Sequence, residues 1–520
     1  ATSTLTVNPT RTLTVSGTAN FAGQSVTFKS DNTGTASLGQ VTGSVTGATN
    51  VTVERYIPNN NFRSWRLLSV PVTTSQSIRQ AWQEGDANPL PKQNNVPGYG
   101  TQITGVYNTQ AAAAAAGFDS TSVQAAMLRW NGASWSNITN TTQPINNFSS
   151  YFLYIRGDRS LSVTGMTSSS NATTLRTKGT IFTGNVVNNV GAGAFALIPN
   201  RYPSAINFTG LTRDAGISNL FYIWDSKKLN GSSLGIYQTF SNTNSFNCLI
   251  SGGSYTLGQP NTTIESGQSF FVQSTTAGSI TLKESAKISG GGSLGFRPTP
   301  SAVKSAINSR LYNSNDEMLD ANTVVFDAVY SKAVADEDAP KMGNPGANFA
   351  IETGSKLLAI EGTTAVKEGD AIQFRMWNME AGNYKLEFAM SNLSLPAGTE
   401  AILEDSYSKT NTVLNTSAAT SVNFTVDASK ASSAANRFRI VIGKAANLNK
   451  AGFTIAPNPI EGNTMNVVFS QQAAGKYSVR IVSANGQAVS TYRLTHAGGN
   501  ANQVISLPAV MGNGTYTVEI

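Results

Sequence analysis

One histidine in 520 residues excludes most hydrolase mechanisms. A Ser-His-Asp triad, a Cys-His dyad and a histidine-held metal each need a well-placed imidazole. His496 lies in RLTHAGGN, a loop-like stretch. No residue is assigned a catalytic role, and the chain reads as a non-enzyme. Cysteine is equally scarce: Cys248 alone permits no intramolecular disulfide. A secreted eukaryotic chain would usually carry several, whereas a large bacterial surface protein with ample core need not. In SFNCLISGG the thiol reads as a small buried hydrophobe. Charged residues make up only 12%, and the formal charge of +7 is spread without any run of four Lys or Arg. That excludes nucleic-acid binding through a basic patch. No apolar stretch reaches bilayer length, so no transmembrane segment is expected. The Ala111–Ala116 run is far too short and reads as a short helix or loop.

What is present favours strands. Gly, Ser, Thr and Asn are abundant, a composition suited to turns and β-branched ladders rather than to helix surfaces. The expected class is all-β, with several β-sandwich domains in tandem and three or four domains in all. Residues 1–57 carry short strands at near-regular spacing, STLTVNP, RTLTVSGTA, QSVTFKSD, GTASLGQ and NVTVERYI, each followed by Gly, Asn or Asp. They suggest the end of a β-helix or related solenoid, with an antiparallel meander as the alternative. Residues 58–295 hold five of the six tryptophans and alternating strands such as RSWRLLSVPV, SYFLYIRG and LFYIWDSK. That pattern suits a sandwich with aromatic anchors. Residues 296–446 open on FRPTPS, a credible boundary, and carry enough strands for a jelly roll or immunoglobulin-like sandwich.

Few residues are left for chemistry. Asp225, Glu265, Glu284 and Glu404 are the carboxylates considered for a glycosidase pair, but nothing in the sequence brings two together. Glu404-Asp405 reads as a solvated turn. Asp316, Asp320, Asp336 and Asp338 are the best oxygen ligands for a structural Ca²⁺, the one cofactor considered, against an ordinary acidic loop. Trp65, Trp82, Trp135 and Trp377 could form a carbohydrate-stacking platform or serve as core anchors.

The last seventy residues are the most informative. Tyr477, Val479 and Ile481 alternate with Ser478, Arg480 and Val482, as in a half-buried strand. Pro457 and Pro459 suit the first residues of an edge strand, and Asn485-Gly486 suits a type I′ hairpin turn. A small antiparallel sandwich is predicted over residues 451–520.

This segment resembles the type A C-terminal sorting domain of type IX secretion cargo in Bacteroidota. The resemblance rests on Pro457-Asn458-Pro459, the strand with Tyr477, Val479 and Ile481, the Asn485-Gly486-Gln487 turn, and the strand with Gly514, Tyr516 and Val518. Segments upstream, VERYIPNNNFRSWRLLSVPV and IESGQSFFVQSTTAGSITLKESAK, resemble a module that recurs in such surface proteins ahead of the sorting domain. Sorting domains of this type usually continue into a further turn and a last strand with a basic end. That strand is missing from a sequence ending at Ile520, and a leader is expected upstream of Ala1. Asp119-Ser120-Thr121 resembles the Bacteroidota O-glycosylation site, in a stretch that reads as exposed, with Ser120 as acceptor.

The resemblance implies an extracellular or cell-surface protein, outer-membrane associated, adhesive or structural. Its partners would be the type IX translocon and the outer-membrane barrel shuttle protein, through residues 451–520, with surface glycan or lipopolysaccharide as a further partner. The alternatives are a carbohydrate-binding or -degrading module and a self-assembling surface-layer or filament subunit.

Overall fold

A computed structural model describes residues 3–58, 62–85, 96–160, 171–226, 235–288, 304–444, 452–456, 458–460, 462–509 and 511–520. The protein is all-β: half of it is strand, and no helix reaches seven residues. At the N-terminus the strands stack in parallel. Ser3–Val7 pairs with Gln24–Phe28, and Gln24–Phe28 with Val51–Ile57. On the other faces Thr12–Val15 pairs with Ser37–Val41, and Thr18–Asn20 with Ser44–Thr46. The rungs are in register, so Leu5, Val26 and Val51 form one column and Val7, Phe28 and Val53 the next. Parallel pairing is what a solenoid requires, and it replaces the meander alternative.

The segment from Val51 to Leu282 resolves into two units of one topology. In the first, three strands of a five-stranded sheet that continues into the N-terminal rungs (Val51–Ile57, Thr173–Ile181, Val72–Thr73) pack on a four-stranded one (Ser64–Leu68, Tyr151–Ile155, Met127–Trp130, Trp135–Asn137). In the second, Val186–Val190, Gly278–Leu282 and Thr212–Arg213 pack on Phe195–Pro199, Ser269–Gln273, Leu220–Asp225 and Ile236–Ser241. Chain order, neighbour order and antiparallel sense all agree. The registers agree as well. Leu67 and Leu128 flank Phe152 as Leu197 and Tyr222 flank Phe271, and Trp130 faces Trp135 as Trp224 faces Tyr237.

The two four-stranded sheets meet through these aromatic rings. Trp130 stands edge-on to Phe271 at 5.2 Å, and its counterpart Trp224 stands edge-on to Phe152 at 4.8 Å. Such reciprocal contacts mark a local two-fold, the self-complementary arrangement of an isologous interface. Each edge-to-face pair adds about 0.5–1.5 kcal/mol beyond burial.

Residues 306–444 supply most of a fourteen-stranded sheet that curls into a nearly closed, barrel-like form. Its interior holds Ile307, Leu311, Phe349, Phe374, Phe388 and Ile440, each almost fully buried. Gly452–Ala456, Thr464–Gln472 and Gly499–Ser506 continue this sheet and also form one layer of a terminal sandwich. The second layer is Gly475–Ser483 between Ala488–His496 and Tyr516–Glu519. This sandwich has its own core, with Met465, Val467, Phe469, Val479, Ile481 and Ile505. Among the described residues its backbone ladder to the barrel-like sheet is one parallel bridge, Val422 to Asn502. Beside it, Asn423 donates to Gln503 (3.1 Å) and Asn502 to Asn423 O (3.3 Å).

Ala111–Ala116 falls on a short helix, Gln110–Ala115, capped by Thr109. Another, Ile78–Trp82, opens on a capping box made by Ser77 and Gln80.

Candidate functional site

The terminal sandwich brings together most residues singled out by the sorting-domain resemblance, and their burial divides them. Val479 and Ile481 are buried, with Tyr477 half-buried, while Ser478 and Arg480 are exposed. This is the alternation read from the sequence, although Val482 is buried too. Ile481 pairs with Val518, and Ser483 with Tyr516. These residues hold the fold. The exposed groups are Asn458, Pro459 and the hairpin tip with Asn485, Gly486 and Gln487. A partner that reads this module must read those tips or the exposed strand faces.

Gly514 and Tyr516 have a local physical role. Tyr516 donates its hydroxyl to Gly512 O, four residues back, at 2.9 Å. A Cβ on Gly514 would come within 3.7 Å of that ring. Tyr477 does the same over Gly475 onto Ala473 O (2.7 Å), and Tyr384 over Gly382 onto Glu380 O (2.9 Å). The Gly-x-Tyr spacing lets each ring lie along its own strand entry and satisfies a carbonyl there, in the manner of a tyrosine corner. Sequence reading missed the recurrence, which was visible in AGKY, AGNY and NGTY.

Several expectations need correction. Asn485 does not take a positive φ; only Gly486 does, at 78°. Gly486 N donates to Ser483 O, and the register shifts between Ile481 and Val482. The turn is therefore type I with a left-handed glycine and a bulge, not type I′. Asn458-Pro459 is a cis peptide in the bend after Gly452–Ala456, not the start of a strand, while Pro457 lies outside the described residues. His496 is not in a loop. It ends the strand Ala488–His496, is buried, and stacks on Phe469 at 4.4 Å.

Ser120 is half-buried rather than exposed. It follows Asp119, which is buried beneath Arg159 (2.5 Å), and its hydroxyl donates to Gln110. Burial pushes the Asp119 carboxyl up, while Arg159 and donors from Ile103 and Gln83 pull it back down. Glu404 is paired with Arg439 at 2.5 Å. Asp405 is no solvated turn residue: it is buried in a bidentate pair with Arg437 at 2.8 and 2.7 Å.

The remaining candidates are dispersed. Asp225 accepts from Gln238 and Ser254, Glu265 pairs with Arg55 at 3.7 Å, and Glu284 pairs with Lys287 at 2.8 Å. None of these carboxylates faces another across a cleft. Asp320 is buried against Lys341 and accepts from Phe349 N. Asp338 accepts from Ala335 N and Gly362 N, and burial raises it to about 6. Asp316 meets Lys385, and Asp336 is exposed. Among the described residues no three acidic, histidine or cysteine side chains converge as a metal cage.

Trp82 is a core residue, edge-on to Tyr151 at 5.6 Å. Trp65 and Trp135 sandwich Phe152 at 4.8 and 5.3 Å between the two units. Trp377 is half-buried beside Gly343. The first three are thus structural anchors. Cys248 is buried, and no helix among the described residues is long and apolar enough to cross a membrane.

No curated protein and no solved structure matches the chain. A family model described as a domain of unknown function, DUF8693, matches residues 1–442.

Proposed function

From the premise that the chain belongs to the DUF8693 family over residues 1–442, we propose that it is type IX secretion cargo of Bacteroidota, carried out by the module that follows. The displayed part is adhesive or structural and non-enzymatic, at the cell surface or released. The observation that carries this reading is the terminal sandwich itself, a module with its own core. It starts beyond the end of the family match and is tied to the barrel-like sheet by one bridge. Such a module can be gripped by export machinery without disturbing the cargo. Its exposed tips at Asn458-Pro459 and Asn485–Gln487 are the surfaces that the translocon and the barrel shuttle would read.

The test is a fusion of residues 446–520 to a folded periplasmic reporter in a host with a working type IX system. The reporter is expected outside the outer membrane, and trapped when the host lacks the translocon. A reporter retained in the competent host overturns the reading.

A further inference from the structure

Between the second unit and the barrel-like sheet lies a cleft of about 440 Å³, inside the roughly 300–1,000 Å³ range of small-ligand sites. One wall is the face of Ala306–Asn313 and Met318–Phe326 that carries Asn308 opposite Thr323 and Arg310 opposite Ala321. The other wall is the segment from Asn244 to Pro260.

The chemistry of the lining is selective. Its polar groups are mainly neutral amides and hydroxyls: Asn244, Asn247, Gln259, Asn308, Thr323 and Ser391. No carboxylate lines it. Its two cations are already committed, Arg310 to Glu387 at 2.6 Å and Lys304 to Asp327 at 3.8 Å. Leu249, Leu257 and Val325 give apolar patches between the amides. A cation would find no counter-charge here, an anion would compete with existing ion pairs, and a purely apolar ligand would strand the amides.

A second observation points to an unfilled hydrogen-bonding role. Asn244 is only 6% exposed, and its Nδ2 donates to Asn247 O at 3.0 Å, yet its Oδ1 is buried with no partner. Buried acceptors are rarely left this way. The next two residues, Ser245 and Phe246, both take left-handed backbone angles, φ 59° and 56°. That conformation is costly for an aromatic residue. It is held by Phe246 N donating to Ser241 O (2.6 Å) and by the ring packing on Phe208 and Phe221. The strained corner fixes Asn244 and Asn247 against this wall.

We infer that this cleft binds a neutral saccharide, its hydroxyls bridging the amides of both walls and its CH faces lying on the aliphatic patches. A sugar hydroxyl both donates and accepts, so it matches carboxamides that offer both functions. The inference rests on the adhesive half of the proposed function and names its ligand class and site; the export half is independent of it.

The experiment is calorimetric titration of the purified 520-residue chain with maltose, cellobiose, lactose and N,N′-diacetylchitobiose, with glucuronate and hexanol as charged and apolar controls. Saturable binding of at least one disaccharide is expected, with neither control competing. Asn244→Ala should weaken it at least tenfold. Ser391→Trp, which fills the cleft from its half-exposed rim, should abolish it with the melting temperature unchanged. No saccharide binding up to millimolar concentration, binding that survives both substitutions, or equal binding of either control would each overturn the inference. Because the titration uses protein in solution, such a result leaves the reporter-export result standing, and the converse also holds.

Discussion

The two seven-stranded units share a topology and a register but differ in what fills part of their cores. The first buries a polar network, with Arg159 on Asp119 and Gln83 and Ile103 N completing the carboxylate. The second buries a cluster of rings: Phe221 stacks on Phe240 at 5.2 Å and lies tilted against Phe208 at 4.6 Å. Among the described residues, the first unit carries two short helices in the long excursion between Thr73 and Met127, whereas the second passes from Thr212–Arg213 to Leu220–Asp225 with no helix between them. The strand Met127–Trp130 accordingly keeps Arg129 in solvent, while its counterpart Leu220–Asp225 is buried throughout. One framework therefore tolerates either an ionic or an aromatic filling, provided that the shared face retains its rings.

That contrast can be broken at several points. The largest effect is expected from Asp119→Ala, which leaves Arg159 buried and unpaired and should cost about 3–5 kcal/mol in urea unfolding. Asp119→Leu with Arg159→Met should recover most of that loss, because an apolar filling is what the second unit already uses. Next, Trp224→Ala should cost about 3–5 kcal/mol, since the indole is buried and its Nε1 donates to Trp65 O. The matching Trp130→Ala should cost less, about 1–3 kcal/mol, its ring being half-buried. Smaller still are the couplings across the two-fold. Double-mutant cycles for Trp130 with Phe271 and for Trp224 with Phe152 should each give about 0.5–1.5 kcal/mol. Unequal values would show that the two-fold is geometric only.

A control outside both units checks that the contrast is confined to them. Burial raises the folded Asp338 carboxyl to about 6, above its ordinary 3.8. The folded state then binds the proton more tightly, so this stability is fully present below about pH 4 and lost as pH rises through about 6. Asp338→Asn should flatten that fall by on the order of 2 kcal/mol in unfolding measured from pH 4 to 7. Trp224→Ala should leave the slope unchanged.

Much of this was legible in the sequence. The all-β class followed from composition, and the N-terminal rungs from the spacing of STLTVNP and QSVTFKSD. The alternation at Tyr477–Ile481 placed that strand correctly. The duplication was not legible as a repeat, because the matching positions differ in identity. Trp65 corresponds to Phe195, Trp135 to Tyr237 and Leu128 to Tyr222, and the excursions between strands differ in length. Its one clear signal was the pair Trp130-Asn131 and Trp224-Asp225, each ending a strand at a turn. The buried ion pairs escaped for another reason. Asp119, Asp405 and Asp320 sit in polar surroundings by sequence and meet their cations only through folding, Asp405 across 32 residues from Arg437. The same holds for the cleft at Asn244, whose walls come from segments far apart in the chain.

The lone bridge from Val422 to Asn502 has a mechanical consequence. A ladder of many bonds loaded in shear shares the load, whereas here, among the described residues, one backbone bridge and two amide contacts join the sheets beside the packing of Thr410–Val413 against the terminal strands. Tension applied at the chain's end should therefore detach the terminal sandwich as a unit while the upstream sheets stay closed. A protease cutting the segment between Lys444 and Gly452 would leave the same remainder intact. The joint acts as a breakaway coupling: the terminal sandwich can part from the upstream sheets at little cost to them.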